Sequence, residues 1–308
     1  MRRPRIGLAL GSGAARGWAH IGAVRALGEA GIEPDIVCGS SIGALVGAAY
    51  VAGELEKLED WARALTRREI VRLLDIKLSG GGLIEGHRFM NFFRDLHEDA
   101  AIESFPMPFA AVATDLISGR EVWLRDGSML EAVRASMALP GILSPVRKEE
   151  WCLIDGGIVN PVPVSVCRAM GAEIIIAVNL NSELVGWHGI PERLVLPEGD
   201  APEPEADFLT RLSSDLPAGI RDGVNSIAAQ LLRTSSSGPG YFDVIAGAIN
   251  IMQDQITRSR LAGEPPHVML MPKLSEIGLM EFDRAEESIA EGRRCVTRML
   301  PALNEILR

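Results

Sequence analysis

Three pieces of this 308-residue sequence could do chemistry together: Ser41, placed as a nucleophile would be, Gly11 to Gly17, with the composition of an anion cradle, and Asp155, a carboxylate at the end of an apolar run. Ser41 lies in Gly39-Ser40-Ser41-Ile42-Gly43, after the apolar run Asp35 to Gly39 and before a stretch of small residues from Ile42 to Val51. The run reads as a buried strand, the stretch as a closely packing helix, and the turn between them as a nucleophile elbow. The flanking glycines allow a sharp turn that leaves the serine Oγ exposed at the strand end, near the positive end of the helix dipole. A Gly-x-Ser-x-Gly match is weak alone, so its surroundings must carry the case.

The surroundings begin about thirty residues earlier. Arg5 to Leu10 reads as a strand that runs into Gly11-Ser12-Gly13-Ala14-Ala15-Arg16-Gly17 and then into a helix from Trp18 to Ala30. Small residues at a helix start let backbone N–H groups turn inward and hold negative charge, either a phosphate or a developing oxyanion. A dinucleotide site needs an acidic residue at the end of the next strand. Asp35 precedes that strand, which ends instead in the serine elbow, so the nucleotide reading is the weaker one. Asp155 sits in Ile154-Asp155-Gly156-Gly157. Asp-Gly at Asp126 and Asp222 reads as an ordinary turn. Asp155 differs by following the apolar run Trp151 to Ile154 and by having a second glycine behind it, which lets the carboxylate approach another strand end unobstructed.

These three pieces, in this order, resemble the patatin-like phospholipase family, in particular its bacterial members related to the catalytic domain of neuropathy target esterase. Further blocks are similar: Ala113-Thr114-Asp115 with Ser118-Gly119, Ala135 to Gly141, Asn160 to Pro163, and Arg260 through Pro272. The resemblance covers most of the chain except about residues 183–255. It implies a Ser-Asp dyad, Ser41 and Asp155, with an oxyanion loop of Ser12, Gly13, Ala14 and Arg16. The motif glycines are Gly11, Gly17, Gly39, Gly43, Gly156 and Gly157. It implies a lipid or lysophospholipid ester as substrate, and no metal or cofactor. The family's loop usually opens with glycine where this chain has Ser12, and glycine is frequent at Ala14; an oxyanion hole of backbone N–H groups tolerates both swaps. Within the loop the Gly13 and Ala14 N–H groups are the expected donors. Arg16 is expected to steady the loop or touch a lipid phosphate, or else to be a solvated arginine of the first helical turn. Open beside this reading are a Ser-Asp-His triad using His188 or His267, and a non-catalytic lipid-binding or nucleotide-binding protein. His20, His87 and His97 read as surface or core histidines.

The elements that must position these groups form an α/β pattern. Strands are expected at 109–113, 121–124, 173–178 and 267–270, and helices near 55–66, 128–137, 161–170 and 283–299. Near-continuous apolar strands suggest a mostly parallel central sheet with helices on both faces, which the resemblance makes the three-layer patatin-like architecture. One domain over 1–308 is expected, with a variable insertion or lid at about 183–255 where Pro197 to Glu205 is acidic and proline-rich. Amphipathic stretches at 220–232 and 242–256 are packed helices or a flap. A second candidate flap is Leu78 to Leu83, with three consecutive glycines, leading to Phe89 through Phe93. If lipid contact occurs it is expected through Phe89, Phe92 and Phe93, or through Tyr241, Phe242 and Ile245. The net charge of −10 argues against nucleic acid and against simple attraction to anionic membrane. The start Arg2-Arg3-Pro4-Arg5 is not followed by an uninterrupted apolar segment, and no run approaches the ~20 residues of a spanning helix. A cytoplasmic protein with at most peripheral contact at the inner membrane face is the expectation, with the four scattered cysteines reduced. The sequence carries no signal for an oligomeric state.

Overall fold

Short apolar runs bounded by Gly, Pro and Asp become the strands of one sheet. The computed structural model describes residues 2–73, 99–182 and 241–307, the side chains of 71–73 and 241–246 excepted. The elements follow as β1 Ile6–Leu10, α1 Ala19–Glu29, β2 Ile36–Ser40, α2 Ile42–Val51, α3 Leu55–Ala64, α4 Arg67–Leu73, β3 Phe109–Asp115, β4 Glu121–Leu124, α5 Met129–Ser136, β5 Val146–Lys148, β6 Trp151–Asp155, α6 Val164–Ala169, β7 Ile174–Val178, α7 Tyr241–Gly263, β8 Val268–Leu270 and α8 Ala285–Ile306. The chain divides into two compact units, residues 1–185 with 250–308, and residues 186–249. Of the second, only the opening turns of α7 are described; everything below concerns the first.

Strands β3, β2, β1, β7 and β8 are neighbours in that order and run parallel, while β4 and β6 join β3 antiparallel and β5 joins β6. This is a mixed α/β fold with a mostly parallel sheet. Side-chain alternation sorts its residues onto two faces. Leu8, Leu10, Val37, Phe109, Ile176 and Val178 join one apolar cluster with α1, α2 and α8. Ala9, Ile36, Cys38, Val112, Ile175 and Ala177 join the other with Val164, Val166 and Cys167 of α6. Burying both faces explains why these strands read as unbroken apolar runs. On the first face α1 and α8 cross almost backbone to backbone. A Cβ on Gly22 would overlap the Ile289 carbonyl, and one on Gly292 the Ala19 carbonyl.

Strand β3 is longer than its neighbour β2, and that difference makes the site. Along a strand, successive residues present their N–H and C=O to opposite edges. Pro108 O accepts from Val37 of β2 at 3.0 Å, and Leu116 N donates to Cys152 O of β6 at 2.8 Å; eight positions apart, both face one edge. Asp115 N donates to Arg120 O beside β4, on the other edge. Strand β2 therefore climbs β3 as far as the Ser40–Val112 pair, and β6 descends the same edge to the Asp155–Ala113 pair. The two strand ends meet at adjacent register positions, which places Ser41 against Asp155. The chain leaves β6 through Gly156, where a Cβ would overlap the Val112 carbonyl oxygen.

Several expected boundaries differ. The 55–66 helix is two: Leu65 is extended (φ −62°, ψ 122°), and Thr66 and Glu69 then cap α4 reciprocally. Helix α6 starts only after Pro163, and α8 runs on through Pro301, which forfeits one backbone donor without ending the helix. Strand β5, Val146-Arg147-Lys148, was not expected. Among the described residues no helix is long and apolar enough to cross a membrane.

Candidate active site

Ser41 follows the last residue of β2 and precedes α2, with φ 56° and ψ −125°. Its Oγ donates to Asp155 Oδ2 at 2.6 Å. Its N–H donates to Ser136 Oγ of α5 at 2.9 Å, so the strained turn is held from below. Gly39 and Gly43 let α2 fold back over the strand end: a Cβ on either would overlap backbone, of Gly43 and Ala44 in the first case and of Leu10 in the second. Ser40, facing away from Asp155, donates to Asn160 O at 2.5 Å.

Asp155 is 1% exposed. Besides Ser41, it accepts the Gly157 N–H on Oδ1 at 2.7 Å, and its carbonyl accepts from Thr114 Oγ1 at 2.8 Å. Burial pushes its carboxyl up from 3.8 to about 6, against the opposing pull of the Ser41 and Gly157 hydrogen bonds. A carboxylate in this state holds a proton more readily than one in water while still ionising near neutrality.

The glycine-rich loop lies at the end of β1, beside this pair. Its Gly11 N–H is bound to Val178 O, Ser12 N–H to Pro161 O, Ala15 N–H to Leu279 O and Arg16 N–H to Gly13 O, at 2.8–3.2 Å. Among the described residues the Gly13 and Ala14 N–H groups have no such partner. Ala14 is left-handed (φ 48°), which turns the chain at this point. Residues 160 and 161 serve both halves, Asn160 O holding Ser40 and Pro161 O holding Ser12. Gly17 packs where a Cβ would overlap Ile42, and Gly13 where it would come within 2.7 Å of Leu180 Cδ1.

Two of the alternatives left open fall away, a solvated Arg16 and a triad through His267. Ser12 and Arg16 have their N–H groups engaged, so the loop's unengaged donors narrow to Gly13 and Ala14. Arg16 is not a solvated arginine: it is 5% exposed, its Nε donates to Ile277 O at 2.8 Å, and burial lowers its guanidinium below the ordinary arginine range to about 10, with Glu281 opposing. It anchors the loop to the segment before α8. His267 pairs with Ile175 through both its N–H and its Nδ1. Following the register across β7 and β1, it is level with Ile36, five residues before Ser41 and three strands away. That is ~16 Å along the strands and ~14 Å across them, which removes His267 as a triad member. His20 is fully buried, donates to Gly11 O at 2.7 Å, and is held neutral by burial, its pKa lowered to about 4. His87, His97, His188, the Leu78–Phe93 stretch, residues 220–232 and the side chains of 242–246 lie outside the described residues, while 247–256 belong to the helix α7. All four cysteines are unpaired.

The order of loop, elbow and aspartate turn can now be compared with known proteins. The family model of patatin-like phospholipases matches residues 8–168. An uncharacterized NTE family protein of Mycobacterium tuberculosis is 34% identical over 341 residues, covering 97% of this chain and 92% of its own length. The chain belongs to the patatin-like phospholipase family. Human patatin-like phospholipase domain-containing protein 6 is 35% identical over 185 residues, 58% of this chain and 13% of that much longer protein. Among solved structures, VipD from Legionella pneumophila aligns over 98% of this chain and 67% of its own, at 12% identity and a TM-score of 0.48. Membership in the patatin-like family supports lipid-ester hydrolysis as the class of activity. Three buried polar residues around the patatin-like site went unanticipated: Ser136 beneath the elbow, and Asn181 and Gln253 behind the loop. Asn181 had one usable signal, its place just past an apolar strand beside β1, at the carboxyl end where such sheets bind ligands.

Proposed function

We propose that the chain hydrolyses carboxylic esters of lipids, of the phospholipase A or lysophospholipase type, through a Ser41–Asp155 dyad with Gly13 and Ala14 as oxyanion donors. The observation that carries this reading is the 2.6 Å hydrogen bond from Ser41 Oγ to a fully buried Asp155. Ser41 Oγ attacks the ester carbonyl carbon while its proton passes to Asp155 Oδ2. The carbonyl oxygen becomes an oxyanion held by the loop N–H groups, a contribution of about a hundredfold or more per donor. Collapse breaks the ester C–O bond, and the leaving alcohol takes the proton from Asp155. Water then attacks the acyl-serine, giving a proton to Asp155, and the second collapse returns that proton to Ser41 Oγ and frees the fatty acid. Asp155 is a weak base for an alcohol, so proton transfer must accompany attack; a carboxyl raised to about 6 lessens the mismatch.

A fluorophosphonate probe mapped by mass spectrometry, with hydrolysis of lysophosphatidylcholine and p-nitrophenyl butyrate, tests this. Labelling is expected at Ser41 alone. Ser41→Ala is expected to lose at least about a thousandfold in turnover and Asp155→Asn at least about a hundredfold, both folded. Labelling at another residue, or an active Ser41→Ala protein, would sink the assignment.

A further inference from the structure

Helix α7 buries polar side chains where it passes the site: Gln253, Asp254 and Thr257 are each at most 5% exposed. Burying an amide sacrifices rotamer freedom and hydration, so it persists where its hydrogen bonds are used. Asp254 is answered by Arg258 at 2.7 Å, and Thr257 by the Gln253 carbonyl at 2.7 Å, both within the helix. The Gln253 side chain instead reaches across the chain. Its Oε1 accepts from Ser12 Oγ at 3.0 Å and from Asn181 Nδ2 at 3.1 Å, and Asn181 Nδ2 also lies 3.4 Å from Ser12 O. Its Nε2 and Asp155 Oδ1 crowd one point, the position of a Cβ on Gly157, at 2.5 and 2.9 Å, with Ser12 Cβ 2.9 Å from the same point. A single amide thus sits among the glycine-rich loop, the end of β7 and the aspartate turn.

We propose that Gln253 is a positioning residue, fixing the oxyanion loop through Ser12 against the Asp155–Gly157 turn; this rests on the hydrolase reading above. Ser12 stands where the family's loop usually opens with glycine, and its buried hydroxyl needs an acceptor, which Gln253 supplies. The two residues act as a pair: removing either leaves the other without that contact. Gln253 makes no hydrogen bond to Ser41, so its effect falls on how the donors and the base are placed, and therefore on turnover more than on substrate affinity.

The test uses the full chain, p-nitrophenyl butyrate, the fluorophosphonate probe, and four variants checked for wild-type circular dichroism: Gln253→Leu, Gln253→Glu, Ser12→Gly and the double Ser12→Gly/Gln253→Leu. Gln253→Leu is expected to lower kcat about tenfold to a hundredfold, as sub-ångström misplacement does, with KM within about threefold. The double variant is expected to be no worse than the weaker single, because both changes remove one contact. Gln253→Glu keeps the acceptor oxygen and is expected to restore most turnover at alkaline pH. Its carboxylate beside Asp155 disfavours a second negative charge, so the acid limb of its pH–rate profile moves upward. Wild-type kcat in folded Gln253→Leu, or losses that multiply in the double variant, overturn the proposal. If Gln253→Leu does not fold, an unmoved acid limb in Gln253→Glu together with wild-type turnover in Ser12→Gly overturns it equally. Failure of the hydrolase reading looks different, since the wild-type chain itself then neither hydrolyses ester nor is labelled at Ser41, and that result removes both.

Discussion

Ser41 holds φ 56° and ψ −125°, a conformation that costs an L residue on the order of 1–3 kcal/mol and persists only where surroundings over-determine it. Here the surroundings are the Ser136 hydroxyl on its N–H, the Asp155 carboxylate on its Oγ, and α2 folded back over Gly39. The strain belongs to the backbone, so it survives in Ser41→Ala and is relieved in Ser41→Gly. Urea unfolding is expected to find Ser41→Gly more stable than Ser41→Ala by about 1 kcal/mol, after the glycine's greater freedom in the unfolded chain is subtracted. Equal stabilities would mean that residue 41 is not where the elbow stores its strain. Ala14 poses the same question in milder form, left-handed at φ 48° where a glycine would be at ease. Its Cβ adds strain without altering the N–H, so the chain's departure from the family glycine leaves the donor intact.

At the scale of elements, the site is made by strand ends. Strands β2 and β6 share one edge of β3, and the gap between them is set by Gly156 passing over the Val112 carbonyl. A methyl there meets backbone that has nowhere to go, so Gly156→Ala is expected to push β6 from the elbow and cut kcat by about a hundredfold. Gly22→Ala makes a similar overlap at the α1–α8 crossing, remote from the site. It is expected to cost about 1–3 kcal/mol in urea unfolding while kcat per fluorophosphonate-titrated site stays at the wild-type value. The pair separates damage to the fold from damage to the site; the reverse pattern would overturn the strand-end account. The same geometry shows what was legible beforehand. Runs such as Ile6–Leu10 and Ile174–Val178 are apolar, about five residues long and flanked by turn residues, so one reading fits them. Val146–Lys148 has three residues, two of them charged, and pairs only because β6 offers an edge. The break at Leu65 carries no glycine or proline to announce it. Ser41 and Asp155 were legible because each sits in its own local motif. Gln253 was not, because its partner Ser12 is 241 positions away and a helical pattern keeps no record of which polar residue faces inward.

For the whole molecule, the proposed base, buried at the end of β6, has a cost that depends on pH. Asp155 keeps its proton up to about 6 in the folded chain but releases it near 3.8 when unfolded. A carboxyl raised in this way contributes stability that is complete below about 3.8 and lost as pH rises through about 6, because the folded state binds the extra proton. At neutral pH the loss amounts to as much as about 3 kcal/mol, a large share of a typical domain's stability. His20 works in the opposite sense. Its pKa of about 4, below the ordinary 6.5, gives stability present above 6.5 and lost as pH falls toward 4. The two groups titrate over the same window with opposite signs, so the wild-type stability curve is flattened there and conceals both. Asp155→Asn removes one of them. The variant is expected to be more stable than wild type in urea at pH 8, by up to about 3 kcal/mol, with the difference closing near pH 4. A difference that did not change between pH 4 and pH 8 would show that Asp155 is not desolvated in the folded chain. In the proposed mechanism activity runs the other way, since there an ionised Asp155 accepts the Ser41 proton, and wild-type kcat/KM is expected to fall below about pH 6. The pH at which this carboxylate can act in the proposed mechanism is therefore the pH at which it weighs most on the fold, and burial of the two apolar clusters on the faces of the sheet must offset that penalty.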